Sequence, residues 1–205
     1  MSKMTPARLS GDALKWLLII MAAVAAAGFA FTRDFEYGVA THEMVEAVGR
    51  VMILTWILGR VWCSLYGGGA ATSEMAARGP YSIVRNPLHL FTMIGAAGVG
   101  AQSGSITVGA IFLVVAILAI WLLVRNEERA LLAALGKPYA DYMASTPRFI
   151  PNLNHWQDSA EVQVRPRVIM GTFLSGLLLL LFIPLAEGLQ YLQTIHTIPV
   201  LADLP

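Results

Sequence analysis

The chain has 205 residues, of which 57% are hydrophobic and only 13% charged, and its mean hydropathy is +0.64. Soluble domains carry about a quarter of their residues charged, so this composition excludes a soluble globular enzyme and a disordered tail. Fourteen Lys and Arg against thirteen Asp and Glu leave a net charge of +1, with no global field to draw in nucleic acid. A single cysteine, Cys63, excludes an internal disulfide framework and a thiolate zinc cluster. The expectation is an all-α protein: one polytopic membrane helical bundle of about five transmembrane helices.

A helix crossing the hydrocarbon core needs about 20 mostly apolar residues. Trp16 to Thr32 holds no Asp, Glu, Lys or Arg and follows Lys3, Arg8 and Lys15. That flank also suits a signal peptide, with Ala25–Ala27 as a cleavage region; we read the segment as a retained first span. The second, Val45 to Tyr66, is interrupted by Arg50 and Arg60. Leu88 to Val124 lacks any formally charged residue but is too long for one helix, and Gln102-Ser103-Gly104-Ser105 supplies a turn. The expectation there is a tight hairpin, Leu88–Ala101 and Ile106–Val124. Val168 to Ala186 is the fifth span, bent at Pro184.

With five spans, eleven Lys and Arg fall on one side: Lys3, Arg8, Lys15, Arg78, Arg85, Arg125, Arg129, Lys137, Arg148, Arg165 and Arg167. The opposite side receives Arg33 beside Asp34, Glu36, Glu43 and Glu46. Positive charge stays inside, so the N-terminus is expected in the cytoplasm and the C-terminus outside, in a prokaryotic inner membrane. No repeat and no alternation long enough for a barrel is present.

Chemistry-bearing residues gather on the cytoplasmic side. The first group is Gly79-Pro80-Tyr81-Ser82-Ile83-Val84-Arg85-Asn86-Pro87-Leu88-His89. Asn86 suits an N-cap and Pro87 the first helical position. A helix N-terminus beside Arg85 is a site for a carboxylate or phosphate; the alternative is a capped span with a snorkelling arginine. The second group starts at Arg125-Asn126-Glu127-Glu128-Arg129. Helical phase places Glu128 with Val124, Leu131 and Leu135, where a carboxylate either pairs with an arginine or bonds a ligand. Gly136 ends that helix. Tyr139 and Tyr142 then stack on a ligand ring or form an interfacial aromatic belt, and Pro147-Arg148-Phe149-Ile150-Pro151 closes the segment.

These two blocks, Arg-Asn-Pro-Leu-His and Glu-Glu-x-x-Leu-x-x-x-x-Gly-x-x-Tyr-x-x-Tyr with its Pro-Arg-Phe-Ile-Pro ending, resemble the isoprenylcysteine carboxyl methyltransferase family and the related phospholipid methyltransferases. The match runs from about Gly49 to Pro151. Gly79, Tyr81, Arg85 and Pro87 agree with the first block; Asn86 replaces its histidine and His89 its tyrosine. An arginine that some members carry five residues before the first glutamate is Leu122 here, with Arg125 the nearest substitute.

The resemblance implies a helical membrane bundle, S-adenosylmethionine as methyl donor and an acceptor that enters from the lipid. It implies a donor pocket lined by Tyr81, Arg85, Asn86, Pro87, His89, Glu127, Glu128, Tyr139 and Tyr142. Arg85, Glu127 and Glu128 are the catalytic candidates, and Arg60, Arg125 and Arg148 the acceptor-binding ones. It divides the single domain into residues 1–48 (first span and outer loop), a 49–151 methyltransferase-like core, and 152–205 (linker, fifth span and tail).

Methyl transfer is an in-line displacement that chiefly needs alignment and exclusion of water. A carboxylate acceptor needs no base, whereas an amine needs one, from Glu127, Glu128 or His89. No metal is expected, since the four histidines show no paired ligand spacing. The competing readings are a non-catalytic scaffold that retains this core and a nicotinamide-dependent reductase resembling sterol reductases.

Among the other unusual residues, Arg50 pairs with Glu46 one turn earlier. Arg60 either snorkels or contacts an anionic substrate group. Cys63 is a small buried side chain, and the Gly and Ala positions of Gly95–Ala101 make the third span thin enough for close packing.

Overall fold

The computed structural model describes residues 32–34, 38–67, 77–158, 161–162, 164–195 and 202–204, together with Ala23. The first expected span, Trp16–Thr32, falls outside them except for Ala23 and Thr32. Helix dominates the described chain: α1 (Gly38–Gly67), the single turn α2 (Pro80–Ile83), α3 (Pro87–Ala101), α4 (Ile106–Leu135), α5 (Lys137–Ser145), α6 (Pro166–Leu180) and α7 (Phe182–Thr194). Two three-residue segments, Thr32–Asp34 and Ala202–Leu204, pair in parallel. Three stretches are long and apolar enough to cross a membrane, Thr41–Gly67, Ile106–Leu135 and Pro166–Leu185, and α3 is a shorter apolar helix. The protein is a helical membrane bundle.

The hairpin expected between the third and fourth spans is present. Gly104 takes the left-handed φ of 75° that the turn requires, and Ser105 caps α4 by accepting from the Val108 N–H at 3.3 Å. The turn is tied to α1 where Gln102 Nε2 donates to the Glu46 carbonyl, 3.1 Å. Glu46 also holds Arg50 at 3.5 Å, the expected one-turn pair, and His42 at 3.1 Å.

Helix α4 does not stop where its apolar run ends. Its 30 residues span about 45 Å at 1.5 Å each, well beyond a hydrocarbon core of about 30 Å, so the last turns project into water. Gly136, at φ 63°, terminates it. One stripe of α4 is buried at four-residue intervals, Val108, Phe112, Ala116, Ile120, Val124 and Glu128, while Val114, Leu118 and Leu122 on other faces are more than half exposed, the surface a bilayer would cover.

The thin third span packs as expected. A Cβ added to Gly98 would lie 2.8 Å from the Gly49 carbonyl oxygen of α1, and one on Gly100 would lie 2.9 Å from the Gly109 Cα of α4. Such close backbone approach is how small residues hold membrane helices together. Ile53, Trp56 and Ile57 of α1 form one core with Phe91, Val99, Leu180 and Ile183, and Met93, Ile120 and Val124 form a second with Leu113 and Phe149. Gly98→Val is expected to lower the midpoint of thermal unfolding in detergent, with an overpacking cost of about 1–3 kcal/mol. An unchanged midpoint would show that α1 and α3 do not meet there.

The fifth span breaks at Leu181, earlier than the bend expected at Pro184. Pro184 has no N–H and its ring crowds the carbonyl four residues back, that of Leu180, so the helix fails one turn ahead of the proline itself.

Candidate functional site

The two motif blocks, 42 residues apart at Asn86 and Glu128, meet through backbone and side chains. The Arg85 N–H donates to the Pro147 carbonyl at 2.8 Å, and the Asn152 N–H to the Ile83 carbonyl at 2.9 Å. Further along, the Gly79 N–H reaches the Gln157 carbonyl at 2.7 Å, while the Gln157 N–H reaches Ser82 Oγ at 3.0 Å. Residues 147–157 thus form a strap lying along the 79–85 segment. Stacking of Trp156 on Trp62, ring centroids 5.9 Å apart, and a 3.2 Å hydrogen bond from the Tyr66 hydroxyl to Asp158 fasten its far end to α1.

Beneath the strap lies a charge cluster centred on Glu128, whose residue is 3% exposed. Arg148 grips its carboxylate with two bonds, Nη2 to Oε2 at 2.5 Å and Nε to Oε1 at 3.2 Å, and its guanidinium lies 5.6 Å from the Trp121 ring centre. Asn86 Nδ2 donates to Glu128 Oε1 and to the Arg148 carbonyl, both at 3.4 Å. Arg85 donates through Nη1 to the Met143 carbonyl at 2.5 Å. Its Nε stands 3.2 Å from Glu128 Oε1, close enough for an ion pair but misaligned for a hydrogen bond, so this buried N–H has no hydrogen-bond partner.

Several expectations are revised by this geometry. Asn86 occupies the N-cap position of α3, but its side chain makes no cap bond; the carboxylate of Glu128 and the Arg148 carbonyl take its donor instead. Of the two fates open to Glu128, pairing with an arginine is the one adopted, with two arginines. Its phase with Val124 holds, whereas Leu131 is turned outward, 38% exposed, because α4 has left the bundle by that turn. Tyr139 and Tyr142 are buried, at 7% and 9% exposure, and so do not face lipid as a belt. Their rings are 5.9 Å apart, and the Tyr142 hydroxyl donates to the Tyr81 carbonyl at 2.8 Å. Burial, reinforced by the negative charge of Glu128, pushes the Tyr139 hydroxyl up to about 12. Burial likewise raises Tyr81 and Tyr142, so all three stay neutral donors near pH 7.

Outside the Glu128 cluster, His89 Nε2 lies 3.6 Å from Glu127 Oε2, with side-chain exposures of 13% and 27%. The Pro87 side chain is fully buried at the head of α3. Arg125 is exposed and borders a small cavity of about 200 Å³ with Glu128, Arg129, Leu132, Met143 and Arg148. A larger open cavity of about 590 Å³ runs between Arg85, the end of α5 and the strap as far as His155, within the size range of small-molecule sites. Arg60 stands apart, in α1 against Thr92. Met143, Asn152, Ser82 and Gln157 were not singled out in the sequence; three of them act wholly or partly through backbone groups, which leave no residue-type signal. Among the described residues no group of three or more His, Cys, Asp or Glu is placed to hold a metal ion.

A helical membrane bundle with a charge cluster and strap at one end of its hairpin defines the class. Residues 37–138 match the phospholipid methyltransferase family, and the chain belongs to that family through this core. Two curated relatives are similar to it. The nickel-cobalt-cadmium resistance protein NccN of Alcaligenes xylosoxydans xylosoxydans is 36% identical over 107 residues, 52% of this chain and 50% of that protein. The cobalt-zinc-cadmium resistance protein CzcN of Cupriavidus metallidurans is 29% identical over 139 residues, 68% of this chain and 63% of that protein. The chain therefore spans between half and two thirds of the length of these relatives. No solved structure matches it.

Proposed function

We propose that the protein is an S-adenosylmethionine-dependent methyltransferase acting on a lipid or lipid-like acceptor at the cytoplasmic face of the membrane. Family membership of residues 37–138 carries this reading, supported by the meeting of both motif blocks around Glu128. The sidedness rests on the eleven Lys and Arg that a five-span topology gathers on one side.

The residues present suit this donor. Arg85 keeps a buried N–H without a hydrogen-bond partner, the group a methionine carboxylate would take. Glu127, close to His89 and partly exposed, suits the ammonium. The buried rings of Tyr139 and Tyr142, with Tyr81 and Pro87, are assigned in this reading to the nucleoside side of the donor. When bound, S-adenosylmethionine supplies a methyl group on a sulfonium. The chain's own contribution is to align the partners and keep water out.

Within this reading Glu128 is a positioning residue. Both its oxygens are occupied by Arg148, Asn86 and Arg85, so it sets the place of Arg85. His89, beside Glu127, is the group left to take a proton, at Nε2, if the acceptor is an amine. Arg125 and Arg148, lining the small cavity, face an acceptor headgroup. The relatives' names add a physiological setting, tolerance of nickel, cobalt, zinc or cadmium, reached by methylating a membrane component.

The test is calorimetry of the purified protein in nanodiscs with S-adenosylmethionine and, separately, NADPH, followed by labelled-methyl transfer into extracted membrane lipids. Saturable binding of the first alone, with label entering a lipid, is the expected result. Folded protein that binds neither would overturn the reading in favour of a scaffold, and binding of NADPH alone would overturn it in favour of a reductase.

A further inference from the structure

Arg60 sits seven residues before the end of α1 at Gly67, about 10 Å along the helix axis. A snorkelling arginine would run toward that end. Instead its guanidinium lies against the ring of the buried Trp56, one helical turn back, with Cζ 5.1 Å from the ring centre. One weak donation leaves it, from Nη1 to Thr92 Oγ1 at 3.4 Å; the Thr92 hydroxyl in turn donates to the Leu88 carbonyl at 2.9 Å. Its Nε is buried and has no hydrogen-bond partner, and no carboxylate among the described residues pairs with it. Arg60 as a residue is only partly buried, but a guanidinium carries five donors, and enclosing its Nε without an acceptor is costly. Trp56 offsets part of the cost through its ring face but accepts no hydrogen bond in the guanidinium plane.

The surroundings connect this cation to the proposed site. Thr92 and His89 are three residues apart on α3 and share a face, and His89 reaches Glu127 across to α4. Arg60 is also close enough for its charge to act on Tyr81 of the first motif block.

We propose that Arg60 is the specificity residue for the acceptor: it receives, between α1 and α3, an anionic group carried by an amphiphile, a carboxylate or a phosphate. The buried, unpartnered Nε and an adjacent Nη form the two-pronged donor that either group fits, and Thr92 holds the guanidinium in place from the other side. This rests on the methyltransferase reading only for calling the amphiphile an acceptor; the anion site itself does not depend on it.

The experiment places the full chain in nanodiscs of zwitterionic phosphatidylcholine and titrates oleate, an alkyl phosphate of matched length, and oleyl alcohol, with S-adenosylmethionine binding measured on the same samples. At least one anionic probe is expected to bind about ten-fold or more tightly than the alcohol, the order that a hydrogen bond to a charged group contributes; which of the two does so distinguishes carboxylate from phosphate. Arg60→Gln is expected to erase that preference and Arg60→Lys to keep only part of it, with donor binding retained in both. Equal binding of all three probes by the wild type overturns the proposal even if the variants fail to fold, and so does an undiminished preference in folded Arg60→Gln. An Arg60-dependent preference in protein that binds no S-adenosylmethionine would sink the methyltransferase reading while leaving the anion site standing.

Discussion

Glu128→Ala is expected to be the most damaging single substitution in the described chain. It removes the shared partner of Arg85 and Arg148 and leaves two guanidinium groups facing each other, with Arg85 9% exposed at its side chain. Removing one member of a buried ion pair costs about 3–5 kcal/mol, because the survivor remains buried and uncompensated. Thermal unfolding in detergent should show a large fall in midpoint. Glu128→Gln, which keeps one oxygen for Arg148 and Asn86, should recover part of it. Adding Arg148→Met to Glu128→Ala should also restore stability, since it withdraws one of the stranded charges; a double variant as unstable as the sum of the singles would show that the two residues do not share this bond.

Arg85→Ala and Glu127→Ala should separate binding from folding. Arg85 is joined to the strap through its backbone N–H, which alanine retains, and Glu128 keeps Arg148 and Asn86 as partners, so Arg85→Ala should stay folded while losing donor affinity by about ten-fold or more, the effect of removing one hydrogen bond to a charged group. Glu127 has no bond holding the fold beyond its approach to His89. Its alanine variant should keep its unfolding midpoint and lose labelled-methyl transfer by a similar factor. Full activity in both variants would mean that neither residue holds the donor and that the two motif blocks do not form its pocket.

The hairpin was legible because it rests on a property that a sequence displays openly, an uncharged run interrupted by Gln102–Ser105. The buried placement of Glu128 was legible for the same reason: four-residue spacing from Val124 is local. What Asn86 does was not. Its residue type and position both favour a cap, and only the approach of Glu128 from another helix draws its side chain away. The strap was harder still. Its attachment to Ile83 and Arg85 uses peptide groups that every residue possesses, so Pro147–Pro151 stood out as a motif while its docking, and the continuation to Gln157, left no mark. Arg60 lay between these cases: the sequence located a charge in an apolar span, but the direction in which its side chain turns was decided by Trp56 and Thr92 together.

Because α4 runs unbroken from the turn at Ser105 to Gly136, the height of the carboxylates above the bilayer is set by a rigid ruler. Phe112, in the apolar stretch, and Glu128 are 16 residues apart on one stripe, a fixed separation of about 24 Å. No hinge intervenes to absorb a change in membrane thickness; the helix can only tilt or drag the surrounding lipid with it. A bilayer of different thickness is therefore met by tilt of α4 or by deformation of the lipid, while Glu128, enclosed by Arg148, Asn86 and the strap, keeps its protein surroundings.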